Sequence, residues 1–232
     1  MTGPGLSARN PQIRAAVQLH RPDERRRTGL TLLEGPKLVA EARKAGVSFV
    51  DLFSLEDGEG TLVTQAALER LSTTVEPQSP VAVIAIPDRP PSPGRSALVA
   101  WEISDPGNLG TMIRTAAAFG LDVMTAGRTV DAWSPKVLRA GAGAHFQTGV
   151  SALDLTGFKT VATTISGGRP PWDLPHRQLA ILVGSEAQGL PNEVVANADY
   201  EVSIPMPGGS ESLNASIAAA IVCYEVAKPT RR

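Results

Sequence analysis

The chain has 232 residues, 42% of them hydrophobic and 19% charged, with a formal net charge of −1. That is enough apolar material for one large core or two smaller ones. The charge excludes a general polycation, so any nucleic-acid site has to be a local patch. Cys223 is the single cysteine, which precludes an internal disulfide and fits a reducing cytoplasm. No secretion signal and no run of ~18 apolar residues is read, so neither export nor a membrane span is expected. His20, His145 and His176 have no cysteine partners at ligand spacing, and no metal site is expected.

In chain order, Pro11–Leu19 reads as a helix with proline in its first turn. Leu30–Leu33 reads as a strand, and Pro36–Ala45 as a helix closed by Gly46. Phe49–Phe53 is a strand, Thr64 caps a helix running to Leu71, and the continuous apolar run Val81–Ile86 is a buried strand. The proline-rich stretch from Pro87 to Gly94 suits neither a helix interior nor a central strand, and it reads as a stiff linker. Beyond it, Ala97–Ile103, Asp122–Thr125, Lys159–Ile165, Leu179–Val183 and Tyr200–Ile204 are strands. Leu109–Phe119, a helix starting at Ser134–Pro135, Pro191–Ala196 and Ser212–Ala227 are helices. Alternation of this kind predicts an α/β fold with a mostly parallel sheet. The boundaries are residues 1–88 for a small N-terminal α/β domain, 89–96 for the linker and 97–232 for the larger domain.

Ligands of parallel sheets bind at the carboxyl ends of the strands, so the loops there carry the candidates. The first is Asp105-Pro106-Gly107-Asn108-Leu109-Gly110, opening the helix that holds Arg114. Asn108 suits a helix N-cap, and Arg114 among small apolar neighbours is either solvated or functional. The second is Gly184-Ser185-Glu186-Ala187-Gln188-Gly189-Leu190, whose glycines permit close backbone approach. The third runs from Ile204-Pro205-Met206 to Ser212-Leu213-Asn214, where Ser212 or Asn214 caps the last helix. No phosphate loop, no Gly-x-Gly-x-x-Gly after a first strand and no Gly-x-Ser-x-Gly occurs, which disfavours nucleotide hydrolysis, an ordinary dinucleotide fold and a serine hydrolase.

Taken in order, these three loops resemble the motifs of the SpoU/TrmH branch of the SPOUT RNA methyltransferases. Ser134-Pro135-Lys136-Val137 with Arg139, Gly143-Ala144 and Phe146 is similar to a further segment of that family, with Gly141 standing where a serine is expected. The N-terminal part resembles the family's substrate-binding domain. The resemblance implies a C-terminal deep trefoil knot, a homodimer, and S-adenosylmethionine as methyl donor for a ribose 2′-hydroxyl, most naturally in large-subunit rRNA. It implies that Asn108, Arg114, Glu186, Ser212 and Asn214 carry catalysis, with Glu186 orienting Arg114. It places the donor on Gly184, Ser185, Gly189, Leu190, Ile204, Met206, Ser212 and Leu213.

Arginine keeps its proton in proteins, so Arg114 suits a phosphate clamp and alkoxide stabiliser better than a literal base. Residues 1–30 hold six arginines against two carboxylates. Arg9, Arg14, Arg25, Arg26 and Arg27 are the candidate RNA contacts. The small-residue face of the last helix (Ala218, Ala219, Ile221, Val222) suits either a dimer contact or an internal core. A tRNA-directed enzyme and a non-catalytic RNA-binding or ribosome-assembly factor on the same scaffold are the alternatives.

Overall fold

A computed structural model describes residues 5–175, 178–209 and 212–228. His176 and the Ser210–Glu211 pair of the third loop lie outside them. The chain forms two compact units, Met1–Pro87 with Trp133–Phe146, and Asp88–Ala132 with Gln147–Arg232.

The first unit is built from α1 (Pro11–Gln18), α2 (Pro22–Thr28), β1 (Leu30–Glu34), α3 (Pro36–Lys44), β2 (Phe49–Ser54), β3 (Thr61–Leu62), α4 (Gln65–Leu71) and β4 (Val81–Ala85). Its sheet has the order β1-β4-β2-β3, with β4 antiparallel to both neighbours. The core packs Ile13, Leu19, Leu32, Phe53, Leu68 and Leu71. Helix α2, unread in the sequence because its Pro-Asp-Glu-Arg-Arg-Arg-Thr composition has no apolar stripe, places Arg25 inside. That side chain is only 2% exposed, and its Nη1 donates to the carbonyls of Leu19 (2.7 Å) and His20 (2.9 Å). Arg25 therefore corrects the sequence reading. It satisfies carbonyls at the end of α1 and is closed to a phosphate.

Trp133–Phe146 contains α6 (Pro135–Ala140), capped by Ser134, and packs in the first unit rather than with the residues flanking it in sequence. Two anchors hold it. Thr31 Oγ1 donates to Trp133 O at 2.6 Å. Arg139 Nη1 reaches the buried Glu34 carboxylate at 2.8 Å, and Thr73 donates to the same carboxylate through its N–H and hydroxyl. Gly141, the departure from the expected serine, has a steric cause. A Cβ there would stand 2.7 Å from Cε1 of the fully buried His145.

The second unit holds six parallel strands in the order β10-β8-β9-β5-β6-β7: β5 (Ala97–Trp101), β6 (Asp122–Ala126), β7 (Val150–Ala152), β8 (Lys159–Thr164), β9 (Leu179–Val183) and β10 (Tyr200–Ser203). Helices α5 (Pro106–Phe119), α7 (Asn192–Ala196) and α8 (Ala215–Ala227) accompany them. Every residue of β9 is buried, as expected of a strand covered on both faces. Residues 89–96, read as a linker, are fastened to this unit. Ser92 N–H donates to the buried Asp122 carboxylate, which Arg95 also faces at 3.7 Å.

The last helix starts at Ala215, three residues later than expected. Its Ala219 and Val222 are fully buried, so the small-residue face belongs to the core of the unit. Burial pushes the Cys223 thiol up to about 12, which leaves it inert as a nucleophile. Among the described residues no helix is long and apolar enough to cross a membrane.

Candidate active site

The strand order creates a switch point. From β5 the chain passes through α5 to β6, on one side. From β9 it passes through α7 to β10, on the other. Strands β5 and β9 are hydrogen-bonded neighbours, so the loops leaving their carboxyl ends diverge and open a crevice.

Asn108 and Glu186 enter that crevice from the two strands. The cap of α5 is Asp105, whose carboxylate accepts from Asn108 N–H at 2.8 Å, and not Asn108 as the sequence suggested. With Asp105 doing the capping, the Asn108 carboxamide is free to turn outward. Its Nδ2 donates to Glu186 Oε1. Asn214 completes the triangle: its Nδ2 donates to Asn108 Oδ1 at 3.0 Å and lies 3.4 Å from Glu186 Oε1. Asn214 is also the N-cap of α8, with Oδ1 accepting from Ser216 N (2.9 Å), Ile217 N (3.3 Å) and Ser216 Oγ (2.6 Å). Three donors on Oδ1 fix which way the amide points, so Nδ2 has to face Asn108 and Glu186.

Beside this triangle lies a cleft lined by Val183, Gly184, Ser185, Glu186, Gly189, Ile204, Met206, Ser212 and Leu213, with Thr163, Thr164, Ile165, Val202, Ala215, Ala218 and Val222. Seven of the eight sequence-predicted donor contacts are among these residues. The eighth, Leu190, has its side chain in the core cluster that includes Leu182 and Ala180. The sequence reading missed Thr163–Ile165 and Val202. Their signal was available, since they sit at the carboxyl ends of β8 and β10, where ligands of a parallel sheet bind, but the loop after β8 had no motif and Val202 precedes the third one.

Gly184 is required by packing. A Cβ there would stand 2.2 Å from the carbonyl carbon of Gly189 and 2.3 Å from its oxygen. The loop folds back on itself at that point, with Gly189 N–H donating to Ser185 O at 2.8 Å. Backbone amides and carbonyls thereby line a slot whose walls are Val183, Ile204, Met206, Leu213, Ala218 and Val222. Apolar walls, exposed main chain and one carboxylate fit an adenosyl group carrying a positively charged sulfonium. Among the described residues no group of three His, Cys, Asp or Glu side chains is placed to hold a metal.

Arg114 stands apart. It is exposed on α5 and forms no bond with Glu186, whose partners are the two asparagines. Of the candidate RNA contacts, Arg9, Arg14, Arg26 and Arg27 are exposed. Arg27 is held in an ion pair with Glu24 at 2.7 Å.

Residues 95–224 match the model of the SpoU rRNA Methylase family, and residues 10–82 match that of the MRM3-like substrate binding domain. The 23S rRNA (guanosine(2553)-2'-O)-methyltransferase RlmP of Bacillus subtilis (strain 168) is 33% identical, covering 95% of this chain and 97% of its own. A crystal structure of an RNA 2'-O ribose methyltransferase aligns at TM-score 0.77 and 31% identity over 95% of this chain and 97% of that one. The SpoU methyltransferase AviRb from Streptomyces viridochromogenes, in complex with AdoMet, aligns at TM-score 0.85 and 26% identity over 94% and 97%.

Replacing Gly184 by alanine forces the 184–190 loop open. Calorimetric titration with S-adenosylmethionine should show at least a tenfold loss of affinity, about 1.4 kcal/mol, with the circular dichroism spectrum preserved. Wild-type affinity would mean that the slot is not the donor site.

Proposed function

The chain belongs to the SpoU rRNA methylase family and is an S-adenosylmethionine-dependent RNA 2′-O-ribose methyltransferase, and on that premise we propose that the cleft holds the methyl donor while the Asn108–Glu186–Asn214 triangle faces the acceptor ribose of a large-subunit rRNA nucleotide. The observation that carries this reading is the meeting of three loops, distant in sequence, at one switch point beside an apolar slot.

The bound donor supplies an electrophilic methyl group on a sulfonium. The chain's own residues do the rest. Gly184, Gly189, Ile204 and Leu213 fix the slot through main chain and apolar contact. Glu186, held by two carboxamides, presents a fixed acceptor toward a ribose hydroxyl. Asn108, Ser212 and Asn214 complete the polar side. Arg114, unattached to Glu186, is a solvent-facing cation suited to the RNA backbone beside the reacting hydroxyl, where it stabilises developing alkoxide charge. Gly184, Ser185, Glu186 and Gly189 from one loop and Ile204, Met206, Ser212 and Leu213 from the next line the slot before α8 follows, and this supports a knotted C-terminal region.

The N-terminal domain, residues 1–88, is the RNA-holding part in this reading, with Arg9, Arg14 and Arg26 as its phosphate contacts. Residues 89–96 lead into the methyltransferase domain, 97–232. A reducing cytoplasm belongs to the same reading. A homodimer is supported by Ile217 and Tyr224, 52% and 50% exposed and seven residues apart on α8, which packs against α5. Phe119 of α5 stands 5.8 Å from the Tyr224 ring. A second copy covering that face removes both from water.

Wild-type protein should transfer labelled methyl from S-adenosylmethionine to unmethylated large-subunit rRNA, and Arg114→Ala should lose at least a hundredfold in single-turnover rate, about 2.7 kcal/mol, while binding the donor normally. Near-normal turnover would remove Arg114 from the reaction.

Joint replacement of Arg9, Arg14 and Arg26 by glutamine should weaken RNA binding and flatten its dependence on salt. Arg25→Gln should instead lower stability by about 2–3 kcal/mol in urea, because it strands two carbonyls. An unchanged salt slope in the triple variant would rule out this patch.

Sedimentation should find dimers of the wild type and monomers of the Ile217→Glu, Tyr224→Glu double variant. A monomeric wild type would reject the dimer.

A further inference from the structure

Glu102 directly follows β5 and has φ +54°, a left-handed backbone conformation. Among the described residues only Ala142 shares this without being glycine. A residue with a Cβ stays there only when its surroundings hold it, and such positions concentrate where a side chain has to be aimed. The Glu102 N–H donates to Ala126 O at 3.1 Å, extending the β5–β6 ladder one step beyond the strand. Its side chain lies against Gly127, which has φ +60°. A Cβ on Gly127 would stand 2.6 Å from Glu102 Cγ and 3.0 Å from Oε1. Two left-handed residues thus stand on neighbouring strand ends, and the missing side chain of Gly127 leaves the room that Glu102 occupies. Among the described residues nothing donates to that carboxylate or pairs with it.

The placement gives the carboxylate a purpose. Along the carboxyl edge of the sheet, the donor slot takes the ends of β10, β8 and β9, and the Asn108–Glu186 bond spans β9 to β5. Glu102 and Gly127 are the next positions on that edge, over β5 and β6. A nucleotide whose ribose meets the asparagine–glutamate triangle and whose base extends from β9 past β5 would bring that base toward Glu102.

We propose that Glu102 is a specificity-determining residue that selects guanine at the acceptor nucleotide. An ionised carboxylate only accepts hydrogen bonds, through two oxygens. The Watson–Crick edge of guanine offers two adjacent donors, N1–H and N2–H, which match them. Adenine, cytosine and uracil each set a donor beside an acceptor, and that acceptor would face a carboxylate oxygen. The proposal rests on the methyltransferase reading of the site.

The test uses the full chain, labelled S-adenosylmethionine and an in vitro transcript of large-subunit rRNA, with the methylated nucleotide mapped. A second transcript carries inosine at that one position, keeping N1–H and losing the N2 amine. The mapped nucleotide should be a guanosine, and the wild type should methylate the inosine transcript about tenfold more slowly under subsaturating single-turnover conditions. Glu102→Gln should lose at least tenfold on guanosine and treat both transcripts alike, with donor affinity unchanged. Glu102→Gly should lose the same discrimination yet melt higher by about 2 °C, since glycine takes this backbone conformation freely. A mapped nucleotide other than guanosine, or a Glu102→Gln variant keeping the wild-type ratio, would overturn the assignment of Glu102 alone. No transfer to RNA by the wild type would overturn the reading of the site and this proposal with it.

Discussion

The site depends on the divergence of two neighbouring strands. Where β5 sends the chain one way and β9 sends it the other, the sheet edge cannot be closed by either connection. Asn108 and Glu186 come together for that reason alone, since 78 residues of chain separate them. Their bond lies across the opening, and Asn214 closes on it from the third loop while Arg114 stands apart. The topology decides where the crevice is. The side chains decide what it can hold.

Asn214 links this arrangement to the helix behind it. One end of its carboxamide caps α8 and the other end meets the asparagine–glutamate pair. The glycines act on the opposite side. At Gly184 the close approach of Gly189 leaves no space for a side chain, so the loop presents main chain to the slot. The close Gly184–Gly189 approach and the Gly189 N–H to Ser185 O bond leave that backbone few ways to move.

Much of this was legible in the sequence because periodicity and caps are local properties. The strands Leu179–Val183 and Val81–Ala85, the Thr64 and Ser134 caps and the α5 helix follow from apolar runs and turn chemistry. The glycine and asparagine motifs also fall on loops that line or border the cleft. What the sequence could not carry was burial of charge. Arg25 sits in an arginine run indistinguishable from a solvated one, and only the fold turns it toward the carbonyls of Leu19 and His20. Helix α2 went unread for the same reason. Asn108 was misjudged as a cap because Asp105, three residues earlier, competes for the same role and wins. The fastening of Trp133–Phe146 through Glu34 and Arg139 is a pairing over 105 residues that no spacing announces.

The slot takes its walls from Thr163 through Val222, so its last wall belongs to α8. A polypeptide cut short before Asn214 would keep the parallel strands and the glycine turn, and would lack both the roof of the slot and the amide that braces Glu186. The slot is therefore complete only once the final helix has docked on the sheet.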